Sequence, residues 1–261
     1  MKIAVTDFDG TLSRQRMVAD SDLEAIRQWR DAGGLFGIAT GRALSMTVLE
    51  TEKWGIPFDF LICANGAVVY NSDLQVLASR DMGAEVIGQL LRHPAAGESF
   101  HWQICCGDTV KVHVKSDLSW FPRIGVPYED VAEAEALAVT DAEQVSLAYA
   151  TDVECNRWVA ELTDRFGDDI KLHQNAAFVD ITAGGIDKAV GIGRLLELAG
   201  WNGADIFVIG DAENDLAMIR KYDGFTVPGA RDVIKKAARA VFPSVGDMLT
   251  AVRTGKAGRM E

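Results

Sequence analysis

The chain has 261 residues, 48% of them hydrophobic and 25% charged, ordinary globular values that allow one large domain or a domain carrying a sizeable insertion. A net charge of −12 argues against nucleic acid or an anionic membrane as partner, because both require neutralising Lys and Arg. The opening Met1-Lys2-Ile3-Ala4-Val5-Thr6-Asp7 lacks the apolar stretch of a secretory leader and no apolar run approaches the roughly 20 residues of a bilayer span, so a cytoplasmic location with no membrane partner is expected.

Ile3 to Val5 reads as the first strand. Asp20 and Ser21 are N-cap residues, with Glu24 three after Ser21 to complete a capping box, and Leu23 and Ile26 form the inner face of a helix ending at Gly33-Gly34. Leu35 to Ala39 is strand two, with Thr40-Gly41-Arg42 opening the next helix. Phe60 to Ala64 is strand three, running into the turn pair Asn65-Gly66 and then Ala67-Val68-Val69-Tyr70, a short hairpin arm. This alternation is the signature of βαβ units and a parallel sheet.

From about residue 83 the pattern changes, with β-like runs at 100–104 and 109–114, helical stretches near 84–92 and 152–166, and strands at 145–150 and 170–182. An α+β insertion fits. The parallel pattern returns near 185, where Asp187-Lys188 begins a helix with Ile192, Leu195, Leu196 and Ala199 on one face. Asp205 to Ile209 is then a buried strand leading into Gly210-Asp211.

Ligands of an open parallel sheet bind beyond the carboxyl ends of its strands. Asp7, Thr40, Asn65 and Asp211 each stand at or just past such an end, and the fold is expected to bring them to one rim with Lys188. Any one of them alone could be a strand-end cap or a turn residue. The set is harder to explain that way.

Asp7-Phe8-Asp9-Gly10-Thr11-Leu12, Ala39-Thr40-Gly41-Arg42, Lys188 and Gly210-Asp211-Ala212-Glu213-Asn214-Asp215 stand in one order along the chain. In that order they resemble the four motifs of the haloacid dehalogenase superfamily: DxDGT, a Thr or Ser after strand two, a Lys, and an acidic GDxxND cluster. The resemblance implies an α/β fold whose Rossmann-like parallel-sheet core spans residues 1–82 and 185–261. The segment 83–184 would be an α+β cap domain, similar by its place between the second and third motifs to the type IIB cap of Cof-type sugar-phosphate phosphatases. Two positions depart from the Cof-type pattern, Ala189 after Lys188 where Gly is usual and Ala212 where Asn is usual. Neither is a proposed catalytic side chain.

Phosphoryl transfer needs a nucleophile, charge neutralisation and a proton for the leaving group. Asp7 suits the nucleophile, forming an aspartyl-phosphate, and Asp9 the acid that protonates the leaving oxygen and then activates water. By resemblance, Asp7, Asp9 through its backbone carbonyl, Asp211 and Asp215 serve Mg²⁺, while Thr40, Gly41, Lys188 and Asn214 hold the phosphate shell. Arg42 is a second-tier phosphate ligand. Asn65-Gly66-Ala67 matches a recurrent Cof-type feature and reads equally as a turn or as a substrate contact.

Rival phosphate chemistries fail by inspection. No cysteine has arginine six positions later, and Lys188 and Lys256 lack a Walker A glycine pattern. Cys63, Cys105, Cys106 and Cys155 show no C-x-x-C spacing and read as buried reduced thiols. His93, His101, His113 and His173 all fall in the insertion, where they read as cap surface or cap core. Trp102, Lys111, His113 and Lys115 read first as alternating faces of a β-hairpin and second as candidates for the mouth of the site. The expected function is Mg²⁺-dependent hydrolysis of a small phosphorylated metabolite by a monomer or homodimer. A phosphomutase using the same paired aspartates and a non-catalytic binding module of the same fold are the alternatives.

Overall fold

The short apolar runs become strands and the amphipathic segments between them become helices in the structure, a computed structural model that describes residues 1–116 and 127–256. The chain opens with β1 (Lys2–Thr6), α1 (Asp20–Asp31), β2 (Leu35–Ala39), α2 (Leu44–Trp54) and β3 (Phe60–Cys63). A single 3-10 turn at Ala64–Gly66 then leads into the antiparallel arm β4 (Val68–Asn71) and β5 (Val76–Ser79).

The next elements are α3 (Ala84–Leu91), α4 (Pro94–Glu98), β6 (His101–Cys106), β7 (Thr109–Val114), β8 (Glu129–Asp130), α5 (Glu133–Ala136), β9 (Gln144–Ala148), α6 (Asp152–Phe166), β10 (Ile170–Asn175) and β11 (Phe178–Ala183). The stretch expected as strand over 170–182 is thus a hairpin, turned at Ala176 with φ +52°. Then come α7 (Lys188–Leu198), β12 (Asp205–Gly210), a 3-10 turn at Glu213–Asp215, α8 (Leu216–Lys221), β13 (Phe225–Thr226), α9 (Asp232–Ala237), β14 (Ala240–Val241) and α10 (Val245–Arg253).

Among the described residues these strands form two sheets. The first, ordered β14-β13-β12-β1-β2-β3-β4-β5, is parallel except at its β4 and β5 edge. Side chains alternate across it, so Ile3 and Val5 pack with Ile192 and Leu195 of α7, while Ala4, Phe36 and Ile38 pack with Ile26 and Leu249 from α1 and α10. Helices therefore cover both faces, as a buried parallel sheet requires. The second sheet, ordered β10-β11-β9-β6-β7-β8, is antiparallel apart from the β7–β8 pair. One of its faces packs on α6, and the apolar end of the other rests on α2, with Cys105, Val110 and Val112 against Ala43 and Met46.

Two local expectations differ from the structure. The N-cap of α1 is Ala19, and no side chain caps that end. Ser21 and Glu24 form no capping box; Asp22 is instead fully buried, accepting from Arg14 Nη2 at 2.8 Å and from the Gly246 amide at 2.7 Å. A tie to α10 has displaced the local cap. Likewise α2 begins only at Leu44, so Thr40-Gly41-Arg42 is a loop before the helix, not its first turn.

Candidate active site

The carboxyl ends of β1, β2, β3 and β12 meet at one rim, and backbone hydrogen bonds lace their loops together. Asp7 N donates to Ile209 O at 2.9 Å, Thr40 N to Ile62 O at 2.8 Å and Asn65 N to Thr40 O at 2.9 Å. Four strand ends distant in sequence thereby become one surface.

Lys188 occupies the centre of that surface. It is the first residue of α7, whose N-cap Asp187 accepts from the Val190 amide at 2.9 Å. The start of α7 lies against the 64–66 turn, where Gly66 has φ +101° and any β-carbon would collide with the Asp187 carbonyl. Glycine there lets the helix come close enough to deliver Lys188 to the rim. The ammonium is fully buried and donates to Asp7 Oδ1 and to Asp215 Oδ1, each at 2.6 Å.

Asp7, Asp211 and Asp215 offer carboxylate oxygens within 4.8 Å of one another. Asp215 Oδ2 accepts from the amides of Asp211 and Ala212 at 3.0 Å each, so both oxygens of this residue are already engaged. Thr11 Oγ1 donates to Asp211 Oδ1 at 2.6 Å. Burial, and then repulsion from Asp215 and Asp211 against the pull of Lys188, raises the Asp7 carboxyl well above its ordinary range. Burial likewise raises Asp211. Against the desolvation of its own burial, Lys188 is pushed further towards the charged form by Asp215 and Asp7. Three carboxylates thus face one ammonium, an imbalance that a hard divalent cation with oxygen ligands would correct. Asp7 and Asp211 retain oxygens for such an ion.

Asp9 stands apart from this cluster. Its carboxylate receives a bidentate fork from Arg42, with Nε and Nη2 each at 2.7 Å, and remains more than half exposed. Arg42 also stacks over Phe8 at 5.0 Å and reaches Glu50 at 3.6 Å. It therefore spends its charge on Asp9 and Glu50.

The rim continues into the second sheet. Asn65 is fully buried in a left-handed conformation at φ +53°; its Nδ2 donates to Gln144 Oε1 at 2.9 Å and to Asp180 Oδ2 at 3.0 Å, while Oδ1 accepts from Asn214 Nδ2 at 2.9 Å. Gln144 Nε2 donates to Gly41 O at 2.9 Å, and Ser146 Oγ to Asp180 Oδ1 at 2.6 Å. Gly41 and Asn214 thus meet the other rim residues, through a network whose members Gln144, Ser146 and Asp180 the motifs did not point to. They are polar residues at alternate positions of β9 and β11, the one signal that could have found them.

The side chains expected near the mouth lie elsewhere. Trp102 is buried, pairs with His113, donates from Nε1 to Ala96 O at 2.7 Å and carries Lys115 over its ring at 5.2 Å. Lys111 shares that parity. All four belong to the face turned from the rim, because alternation gives the rim-facing side of β6 to Gln103 and Cys105. His113 Nδ1 donates to Val131 O at 3.0 Å, and His93 packs on Trp158. All four cysteines are free thiols, three buried and Cys106 half-buried; burial pushes Cys63 up to about 12 and Cys155 up to about 11.

A family model described as haloacid dehalogenase-like hydrolase matches residues 4–248. A 5-amino-6-(5-phospho-D-ribitylamino)uracil phosphatase from Bacillus subtilis is 24% identical over 243 residues, 91% of this chain and 88% of its own. A phosphoglycolate phosphatase from Pyrobaculum neutrophilum is 26% identical over 245 residues, 92% of this chain and 88% of its own. Among solved structures, a HAD/COF-like hydrolase from Plasmodium vivax superposes with a TM-score of 0.85 at 22% identity, covering 98% of this chain and 96% of that one. A HAD subclass IIB sugar phosphatase gives 0.82 at 20%, covering 98% and 99%. At such identities the structural likeness establishes the fold.

Proposed function

The chain belongs to the haloacid dehalogenase-like hydrolases and is a phosphatase of that family, and from this premise we propose that it hydrolyses a small phosphorylated metabolite through an aspartyl-phosphate on Asp7. The observation that carries the reading is the buried Lys188 held at 2.6 Å from both Asp7 and Asp215, with Asp211 beside them. No fold-stabilising need explains three carboxylates around one ammonium, since burying charges is costly even when they are paired.

In the proposed reaction an Asp7 carboxylate oxygen attacks phosphorus as the ester P–O bond breaks, and Asp9 gives its proton to the leaving oxygen. Water then attacks the phosphoryl group, Asp9 takes the proton, and phosphate leaves Asp7 free. Lys188 orients the nucleophile, and Thr40, Gly41 and Asn214 cradle the phosphoryl oxygens. Asp9 must leave the Arg42 fork to act, and Arg42, once released, has a second anion within reach. Mg²⁺, held by Asp7, Asp211 and the Asp9 carbonyl with Asp215 behind them, would keep Asp7 ionised and neutralise the phosphoryl charge.

Residues 83–184 are proposed to form a cap domain over a core of 1–82 and 185–261, a division supported by the second sheet and by the reach of Gln144, Ser146 and Asp180 onto the rim. No helix among the described residues is long and apolar enough to cross a membrane, and a cytoplasmic metabolite enzyme is the proposed setting. Phosphate release from sugar, polyol and carboxylic-acid phosphates, measured with Mg²⁺ and with excess chelator, tests the reading. Activity should require the metal; full turnover in chelator would contradict it.

A further inference from the structure

The rim-facing side of the second sheet is divided. In register across the strands stand His173, Asp180, Ser146, Gln103 and Val112. The apolar end of this row belongs to the contact of Val112 with α2, whereas Asp180 and Ser146 stand over the loops that carry Gly41 and Asn65. Val179 and Ile181 on either side of Asp180 are fully buried beneath, while Asp180 keeps partial exposure. Its carboxylate therefore stands part-buried at the rim. Oδ2 sits so near Gly41 that a methyl group on that residue would lie 2.9 Å from it.

In-line attack fixes where the rest of a substrate goes. With phosphorus between Asp7 and the leaving oxygen, the leaving group extends away from the end of β1, towards whatever covers the rim. The cover is the polar part of this row. An ionised carboxylate offers about four acceptor positions. Asp180 uses one on Ser146 and one on Asn65, which leaves acceptor capacity on this part-buried carboxylate. Ser146 gives its proton to Asp180 and accepts from Gln144 Nε2 at 3.2 Å, so its hydroxyl oxygen keeps one acceptor position.

We propose that Asp180, with Ser146 beside it, is the specificity-determining residue for the leaving group, selecting phosphate esters of hydroxyl-bearing alcohols over esters whose leaving group carries a carboxylate. Substrate hydroxyls donate to the Asp180 carboxylate and Ser146 oxygen; a substrate carboxylate meets like charge at Asp180, while the Gln103 amide beside Ser146 is turned to the sulfur atoms of Met46 and Cys105. His173, next in the row, adds no compensating cation, because burial and the nearby Lys171 and Lys188 keep its ring neutral. The inference rests on the phosphatase reading and names the substrate class that reading leaves open.

A matched pair of probes tests it: sn-glycerol 3-phosphate and 3-phosphoglycerate, which differ by a hydroxymethyl against a carboxylate at equal length. An aryl phosphate, bearing neither group, reports whether the chemistry is alive. The wild-type ratio of kcat/KM, or of inhibition constants against aryl-ester turnover, should favour glycerol phosphate, and Asp180→Asn should lower that ratio about tenfold or more. Loss on glycerol phosphate should fall chiefly on KM, with a gain on phosphoglycerate, a pattern that a merely structural defect does not produce. Ser146→Ala, which spares the carboxylate, should move the ratio the same way by less. Preference of the wild type for phosphoglycerate overturns the inference. So does a ratio unmoved by Asp180→Asn or, should that variant not fold, by Ser146→Ala. Turnover of the aryl ester with an unmoved ratio sinks this inference alone; no turnover of any ester sinks the phosphatase reading with it.

Discussion

At the scale of single residues the site is an arrangement of buried charge, and two side chains show its cost. Lys188 offsets Asp7 and Asp215 at 2.6 Å each with no solvent contact, so its removal strands carboxylates in the interior. Lys188→Met should therefore lose turnover and, measured by urea unfolding in chelator, destabilise the fold by about 3–5 kcal/mol. An unchanged unfolding midpoint would mean the pair is already relieved by water. His173 is the opposite case. Burial, helped by Lys171 and Lys188, lowers its ring from 6.5 to about 3, so it stays neutral in the fold while Nε2 meets Thr182 Oγ1 at 3.1 Å. Between those two values the unfolded chain holds a proton that the folded chain excludes, and stability must fall as pH drops through this window, by up to about 1.4 kcal/mol per unit. Asp180, pushed up from 3.8 to about 6 mainly by burial, works the other way: the fold keeps a proton there that the unfolded chain has lost, so that contribution falls as pH rises through the interval. Comparing His173→Gln with the wild type at pH 5 and pH 7 isolates the histidine. The variant should lose less stability on acidification, and an equal loss would contradict a neutral buried ring.

At the scale of elements, long-range partners override local rules. Ser21 and Glu24 satisfy the spacing of a capping box, yet α1 starts at Asp20 with its neighbour Asp22 sunk between Arg14 and the Gly246 amide, 224 positions away. Ser21→Ala should be nearly neutral and Asp22→Ala should cost about 2–4 kcal/mol in urea unfolding, since it leaves the buried Gly246 amide unpaired. The reverse ranking would restore the capping box. The same contrast explains what the sequence disclosed. Asp7, Thr40, Lys188 and Asp211 were legible because each sits at a strand or helix end, where apolar runs stop and a polar residue declares itself. Ser146 and Asp180 were not, because they lie inside strands, and Gln144 was not, because it opens β9 at the amino end rather than closing a strand at the carboxyl end. Alternation separates the two faces of β9 and β11 but does not say which face meets the rim; Trp102, Lys111, His113 and Lys115 belong to the β6–β7 hairpin, on the face turned from the rim.

At the scale of the whole molecule, two sheets divide the work: the parallel one gathers Asp7, Thr40, Lys188 and Asp211, and the antiparallel one covers them with a polar row. The βαβ alternation made the first sheet readable, including its helix-covered faces. The second was readable as an insertion, but the hydrogen bonds from Gln144 to Gly41 and from Asn65 to Asp180, which join it to the rim, depend on contacts no local pattern encodes. Chemistry on such a rim stands or falls with Asp7 as nucleophile. The most direct measurement is an acid quench shortly after mixing an activated aryl phosphate with Asp9→Asn and with Asp7→Asn, followed by mass spectrometry of the peptide containing position 7. Asp9→Asn retains the nucleophile and lacks the base that activates water, a group that typically contributes about 10²–10⁴-fold, so phosphate should accumulate on Asp7. Asp7→Asn should carry none and turn over nothing. Phosphate on another residue, or undiminished turnover by Asp7→Asn with deamidation excluded, would contradict the aspartyl-phosphate mechanism.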